Sequence, residues 1–136
     1  MTYSVQEVAH KMGLTPYTIR YYDDNGLIPF VKRDQNNNRL FDDVDIEWLQ
    51  IVVCLRETGM PLKNIRHYLE LVQEGEQTVS ERYQIMLRQQ QDTLAEISEL
   101  KKHLATINRK VNHYAEIMQK NQPDSYEPSN IAVKSK

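Results

Sequence analysis

The second half of the chain has no glycine or proline between Gly75 and Pro123. Within this stretch, apolar side chains recur at alternating spacings of three and four residues, which is the pattern of a heptad seam. The seam consists of Ile97, Leu100, Leu104, Ile107, Val111, Tyr114 and Met118. The pattern predicts one helix of about 43 residues, roughly 65 Å long. The short remainder of the chain cannot bury such a face, and each chain offers one such helix. Homodimerisation is therefore the economical inference, ahead of an intramolecular role.

A start signal and a stop signal frame a much shorter helix over residues 16–25. The Thr15 hydroxyl can cap its N-terminus, and Gly26 suits the left-handed residue just past its end. One side of this helix is apolar and carries Ile19 and Tyr22; the other carries Tyr17, Thr18, Arg20 and Tyr21. Phenols, a hydroxyl and a guanidinium reach phosphates and base edges, so this face predicts a nucleic-acid contact.

A second short helix precedes this one. Ser4 and Glu7 form the pattern of a capping box, and Gly13 stops the helix. Its apolar stripe consists of Val5, Val8, Ala9 and Met12. Two short helices joined by a tight turn predict a helix-turn-helix, with residues 16–25 as its recognition helix. An ordinary helical hairpin is the alternative.

Residues 27–41 change character, because apolar and β-branched residues flank a polar turn rich in asparagine. The pattern predicts a short hairpin with its tip near residues 35–38. Three basic residues lie beside the tip: Lys32, Arg33 and Arg39. A basic hairpin directly after a recognition helix is typical of a wing that contacts the DNA backbone. The alternative is a plain solvated loop.

Two further helices follow the hairpin. The first is capped by Asp42 or Asp43, runs to about Thr58 and is apolar nearly all round, which predicts a central, buried helix. The second starts at Pro61 and ends at Gly75. Lys63 lies in its first turn, where a helix N-terminus can hold a phosphate.

Composition excludes several classes of protein. No apolar run is long enough to span a membrane, the N-terminus lacks the features of a signal peptide, and the lone Cys54 cannot form an intramolecular disulfide. These features predict a cytoplasmic protein. No glycine-rich phosphate loop, paired-carboxylate cleft or activated nucleophile indicates an enzyme. The net charge of −2 does not favour nucleic acid, so the DNA argument rests on where the charges lie.

The stretch from Ser4 to Phe41, with TPYTIRYYDDNGLI at its centre, resembles the MerR family of bacterial transcription regulators. The likeness continues through DDVDIEWLQIVVCLRETGMPLKNI. It implies a mainly α fold, with a winged helix-turn-helix and helix pair over 1–75, a long dimerisation helix over 76–120 and a flexible tail over 121–136. It also implies a homodimer, joined by an antiparallel coiled coil, on a palindromic promoter operator. Such regulators distort the DNA so that RNA polymerase can use both promoter elements.

The resemblance also implies which side chains contact DNA. They come from the recognition helix, the wing and the later helix: Thr15, Tyr17, Thr18, Arg20 and Tyr21; Lys32, Arg33 and Arg39; and Lys63. Most of these contacts are expected to position the protein, while DNA deformability supplies much of the specificity.

The effector is less constrained by the sequence. Metal-sensing members use cysteines around the long helix, which here has none, and His103 and His113 lie too far apart on one helix to share a metal. No metal or cofactor is therefore expected, and the short tail leaves no room for the large ligand domain of drug-sensing members. Cys54, in VVCLRETGM, resembles the lone cysteine of the aldehyde- and thiol-stress-responsive AdhR/NmlR type.

Two alternatives to a sensor role for Cys54 stay open. Cys54 can be a packing residue, since a free cysteine on an apolar helix behaves as a small hydrophobe. The effector is then a non-covalent small ligand. A coiled-coil interaction protein without a DNA role would explain the long helix but not the exposed recognition face and the basic wing.

Overall fold

Helices dominate the chain, as the sequence predicts. The structure is a computed structural model and describes residues 1–121, so the tail expected over 121–136 lies, apart from its first residue, outside the described residues. The elements are β1 (Thr2–Tyr3), α1 (Val5–Met12), α2 (Pro16–Asp24), β2 (Lys32–Arg33), β3 (Arg39–Asp42), α3 (Asp43–Glu57), α4 (Leu62–Glu74), a 3₁₀ turn (Glu76–Thr78) and α5 (Val79–Lys120). Contacts divide the chain into one unit, Met1–Gln90, which we call the head, and a second unit that starts at Gln91.

The two short helices have the caps that the sequence predicts. At α1, the Ser4 hydroxyl accepts from the Glu7 amide at 3.1 Å, and the Glu7 carboxylate accepts from the Ser4 amide at 2.9 Å. At α2, the Thr15 hydroxyl accepts from the Thr18 amide at 3.1 Å. α2 ends at Asp24, one residue earlier than expected, which is within the usual fraying of a helix end.

The predicted hairpin is present, and it belongs to a three-stranded antiparallel sheet of order β1-β3-β2. At its tip, the Asp34 carboxylate accepts from the amides of Asn36 and Asn38, both at 2.9 Å. Asn37 adopts a left-handed φ of 63°, which asparagine tolerates well. The strand β1 was not predicted, because two residues carry no periodicity of their own and depend on the distant β3 for pairing.

The core of the head lies between α1, α2, the sheet, α3 and α4. Its most deeply buried side chains are Val8, Ile19, Leu27, Phe41, Leu49, Val52, Met60, Ile65 and Leu69. The expectation that α3 is buried nearly all round is wrong. One face of α3 is buried, but Trp48, Ile51 and Val53 are half-buried and Cys54 is exposed. The predicted start of the next helix is also corrected by one residue. Pro61 is the N-cap of α4, and the helix begins at Leu62.

The start of α3 has a reciprocal cap made by two aspartates. The Asp42 carboxylate accepts from the Asp45 amide at 2.8 Å, and the Asp45 carboxylate accepts from the Asp42 amide at 2.9 Å. The backbone hydrogen bond from Asp45 holds the pKa of Asp42 below its usual range. Burial raises the pKa of Asp45, because a carboxylate loses hydration there.

The unit that starts at Gln91 contains the C-terminal part of α5. The seam residues of this helix are between 38% and 79% exposed, so among residues 1–121 the apolar stripe remains largely in contact with solvent. Among the residues described, 1–121, no helix is both long enough and apolar enough to cross a membrane.

Candidate nucleic-acid interface

The recognition helix α2 separates a buried side from an exposed one. Ile19 and Tyr22 are buried in the core, whereas Tyr17 is 75% and Tyr21 43% exposed. The rings of Tyr17 and Tyr21 stack, with their centroids 6.5 Å apart and their planes within 9° of parallel. Because these rings lie on successive turns, they present two phenol hydroxyls on one outer face of the helix.

Arg20 lies on the same exposed part of α2 and is available for a ligand. Within residues 1–121 its side chain forms no hydrogen bond or ion pair. The hydroxyls of Thr15 and Thr18, in contrast, are 2.9 Å apart and hydrogen-bonded to each other. Thr15 therefore orients the first turn of the helix, while Arg20 projects an unpaired guanidinium from its middle.

The wing presents its basic residues beside α2. Lys32 and Arg33 are exposed, and the Arg33 guanidinium donates to the Asn37 carbonyl at 2.9 Å, which holds it against the turn. A cleft of about 370 Å³ lies between the wing and the first two helices, and Arg20 and Arg33 both line it. The structure thus brings together two arginines that are thirteen positions apart in the sequence.

Arg39 is placed differently from the other basic residues of the wing. Its side chain is only 12% exposed, and its guanidinium contacts two carboxylates at the end of α2: Asp23 at 2.6 Å and Asp24 at 2.5 Å. The sequence reasoning did not identify this pairing. Opposite charges fifteen or sixteen residues apart give no signal until the hairpin folds back on the helix.

Lys63 is exposed in the first turn of α4, where no side chain caps the helix. The Arg66 guanidinium, one turn later, donates to the Asn25 carbonyl at 3.2 Å. This bond joins the start of α4 to the C-terminal end of α2, so Lys63 belongs to a helix that is anchored directly on the recognition helix. The bond from Arg66 to Asn25 was not predicted from the sequence, because the two residues lie 41 positions apart.

Cys54 lies on the exposed side of α3, away from the core. One helical turn later, Thr58 accepts hydrogen bonds from the Gln89 side chain, at 2.9 Å to its carbonyl and 3.3 Å to its hydroxyl. These bonds join the C-terminal end of α3 to the first turns of α5 within the head.

Among residues 1–121, no group of three histidine, cysteine, aspartate or glutamate side chains is placed to hold a metal ion.

Sequence comparison assigns both parts of the described chain to one family. The profile of the "MerR HTH family regulatory protein" matches residues 3–71, which contain the helix-turn-helix and the wing. A second profile, "MerR, DNA binding", matches residues 46–117, which contain most of α3, α4 and nearly all of α5.

Individual relatives agree with this assignment. A transcriptional regulator of Haemophilus influenzae without a characterised function is 40% identical over 114 residues, covering 84% of each chain. The regulator AdhR of Bacillus subtilis is 38% identical over 88 residues, covering 65% of this chain and 63% of AdhR.

Solved structures show the same fold. HiNmlR, described as a MerR family regulator lacking the sensor domain and crystallised bound to promoter DNA, is 38% identical; the match covers 88% of this chain and 94% of HiNmlR, with a TM-score of 0.71. A putative MerR family regulator from Listeria monocytogenes is 26% identical, with 98% and 99% coverage and a TM-score of 0.77. The exposed face of α2, the basic wing, the two profiles and these relatives lead to one conclusion: the chain belongs to the MerR family of DNA-binding transcriptional regulators.

Proposed function

We propose that this chain binds promoter DNA as a homodimer and activates transcription by distorting the DNA between promoter elements, so that RNA polymerase can use both. The observation that carries the proposal is the exposed face of α2, which presents the stacked rings of Tyr17 and Tyr21 and, beside the basic wing, the Arg20 guanidinium. A recognition helix of this kind enters the major groove, and the wing follows the adjacent backbone. HiNmlR supports this proposal, because that relative was crystallised on promoter DNA.

The proposed contacts with DNA all come from the head. The proposed set is Thr15, Tyr17, Thr18, Arg20 and Tyr21 from the recognition helix, Lys32 and Arg33 from the wing, and Lys63 from α4. Arg39, which the sequence also predicts as a contact, is instead paired with Asp23 and Asp24. Of the basic residues, Arg20, Lys32, Arg33 and Lys63 are exposed and able to approach phosphates directly. These contacts orient the head, and the cost of deforming the DNA supplies much of the sequence preference.

The seam of α5 is proposed to join two chains in an antiparallel coiled coil. Apolar residues on a continuous helical stripe lose their contact with water only against a second helix of similar length. Two heads are also needed to offset the weakly acidic net charge of one chain, since a dimer doubles the number of phosphate contacts.

Arg20→Ala tests the DNA-binding proposal. We expect the variant to lose binding to the duplex upstream of its own gene while it remains a dimer, because α2 keeps its cap and its buried side. Wild-type affinity should fall steeply as salt rises, since phosphate contacts release counterions. Arg88→Ala serves as the matched control, because it removes an exposed arginine from α5 that is not among the proposed DNA contacts.

Two results of this titration would contradict the proposal. Unchanged affinity of Arg20→Ala at fixed salt would remove α2 from the interface. Wild-type affinity that does not change with salt would favour a coiled-coil interaction protein without a DNA role, because such a protein makes no phosphate contacts. Dimer mass is measured in parallel by light scattering.

Cys54 is the proposed sensor of an electrophile or thiol oxidant, which would place the chain with the AdhR/NmlR type. Its exposure on α3 supports access for a reagent and argues against a role as a core residue. With an aldehyde, sulfur forms a bond to the carbonyl carbon and the thiol proton moves to the carbonyl oxygen, so no oxidant is required. A modified Cys54 would lie one helical turn from Thr58, whose hydrogen bonds with Gln89 connect α3 with α5.

The alternative for the effector is a non-covalent small ligand, with Cys54 having no role in sensing. Native protein and Cys54→Ala would then respond alike to the inducing condition. The similarity of the chain to AdhR, 38% identical over 88 residues, supports the sensor proposal.

A further inference from the structure

We propose that Arg39 is a positioning residue that fixes the wing against the recognition helix through Asp23 and Asp24, and that it does not bind a DNA phosphate itself. The inference rests on the proposed DNA-binding function. Of the three basic residues of the wing, Lys32 and Arg33 are exposed and Arg39 is not. The inference therefore changes the role of Arg39 alone.

The geometry is that of a two-carboxylate clamp. The Arg39 Nε atom donates to Asp23 at 2.6 Å, and a terminal nitrogen donates to Asp24 at 2.5 Å. The Arg39 and Asp23 side chains are 12% and 16% exposed, whereas that of Asp24 is 67% exposed. Charge-assisted bonds that are shielded from water are stronger than exposed ion pairs, so Asp23 is the principal partner.

The register of the hairpin places Arg39 opposite a second positive charge, which the clamp offsets. Arg39 pairs with Arg33 in the register of β2 and β3, so two arginines lie directly opposite each other next to the tip. Like charges in that arrangement destabilise a hairpin. The two aspartates neutralise Arg39, which reduces its repulsion of Arg33. Arg20, Arg33 and Arg39 all line the cleft, but of these three only Arg39 is paired with carboxylates within residues 1–121.

The clamp has an electrostatic consequence that can be tested. Asp23 and Asp24 belong to the recognition helix, so at long range their charges repel DNA. Long-range electrostatics alone predicts that their removal strengthens DNA binding. The clamp predicts the reverse, because without its carboxylates Arg39 no longer holds the wing and the wing must be ordered when DNA binds.

The experiment compares Asp23→Ala/Asp24→Ala with Glu47→Ala/Glu70→Ala on the upstream duplex at fixed salt. Both pairs remove two negative charges from helices of the head, but Glu47 and Glu70 are exposed and form no ion pair within the described chain. We expect the aspartate pair to weaken binding about tenfold and the glutamate pair to leave it unchanged or tighter. Asp23→Ala alone should account for most of the loss. Equal or tighter binding by the aspartate pair would overturn the clamp.

A third variant distinguishes positioning from direct contact. Arg39→Gln is added to the aspartate pair, and the clamp predicts no further loss, because Arg39 then has nothing left to hold. If Arg39 binds a phosphate, the triple variant loses about another tenfold and the salt slope falls by about one unit. That result would overturn the inference.

The free protein provides a readout that does not depend on DNA. Backbone amide order parameters at residues 34–38 should fall in Asp23→Ala/Asp24→Ala and stay at wild-type values in the glutamate pair, while circular dichroism shows that all variants fold. If wild-type protein does not bind the duplex, the proposed function fails, and the order parameters still decide the clamp. Unchanged order parameters in the aspartate pair would contradict it.

Discussion

Asp45 is a buried carboxylate at the start of α3, and its side chain accepts a hydrogen bond from the Asp42 amide. The bond satisfies one oxygen, but the carboxylate has lost most of its hydration. Burial therefore raises the pKa of Asp45. The folded protein holds this proton more tightly than the unfolded chain does, so the contribution of Asp45 to the free energy of unfolding falls as pH rises through the raised pKa.

Asp45→Asn is expected to become more stable relative to wild type as pH rises above the ordinary aspartate pKa of about 4 and through the raised pKa of Asp45. Asparagine keeps the shape and an oxygen that accepts the Asp42 amide, but it does not titrate. Urea unfolding at several pH values measures the difference. Glu47→Gln, at an exposed position of the same helix, controls for the loss of one charge. A difference that stays constant or shrinks with rising pH would contradict the assigned burial of the charge.

Arg20 and Arg39 show what the sequence leaves undecided at single residues. The sequence predicts both residues as DNA contacts, Arg20 from the recognition helix and Arg39 from the wing. In the structure Arg20 is unpaired, whereas Arg39 is held between Asp23 and Asp24. The difference depends on the hairpin folding back on α2, which local periodicity does not encode.

Among the secondary-structure elements, those defined by local signals were predicted well. The caps at Ser4 and Thr15 and the tip of the hairpin depend on residues within a few positions of one another. The strand β1 and the one-sided burial of α3 depend on distant partners, so the sequence did not predict them. Apolar content suggested a central α3, but which face is covered is decided by the packing of α1, α2 and α4.

The seam of α5 makes its own prediction. Leu104→Glu should raise the dissociation constant of the dimer by about a hundredfold or more, because a carboxylate would be buried among apolar side chains of the partner helix. Ser98→Glu adds the same charge about half a turn away from the seam and should leave the dimer intact. Analytical ultracentrifugation over a range of concentrations measures both. A dimer equally stable in the two variants would place the interface elsewhere.

For the whole molecule, family membership could be predicted from the sequence because its motifs are local and occur in a fixed order. The effector could not, because the sequence does not show whether Cys54, the proposed sensor, is accessible or what its helix contacts. The structure supplies the exposure of Cys54 and the bonds between Thr58 and Gln89. The proposed route from Cys54 to α5 rests on these two observations, neither of which can be predicted from the sequence.

The most direct test of the central claim is transcription in vitro from the promoter upstream of its own gene, with and without a small aldehyde or a thiol oxidant. Native protein and Cys54→Ala are assayed side by side. We predict that native protein raises transcript levels when the electrophile is added and that Cys54→Ala does not. An equal response by both would assign sensing to a non-covalent ligand. No effect of native protein on this promoter under either condition would contradict the account.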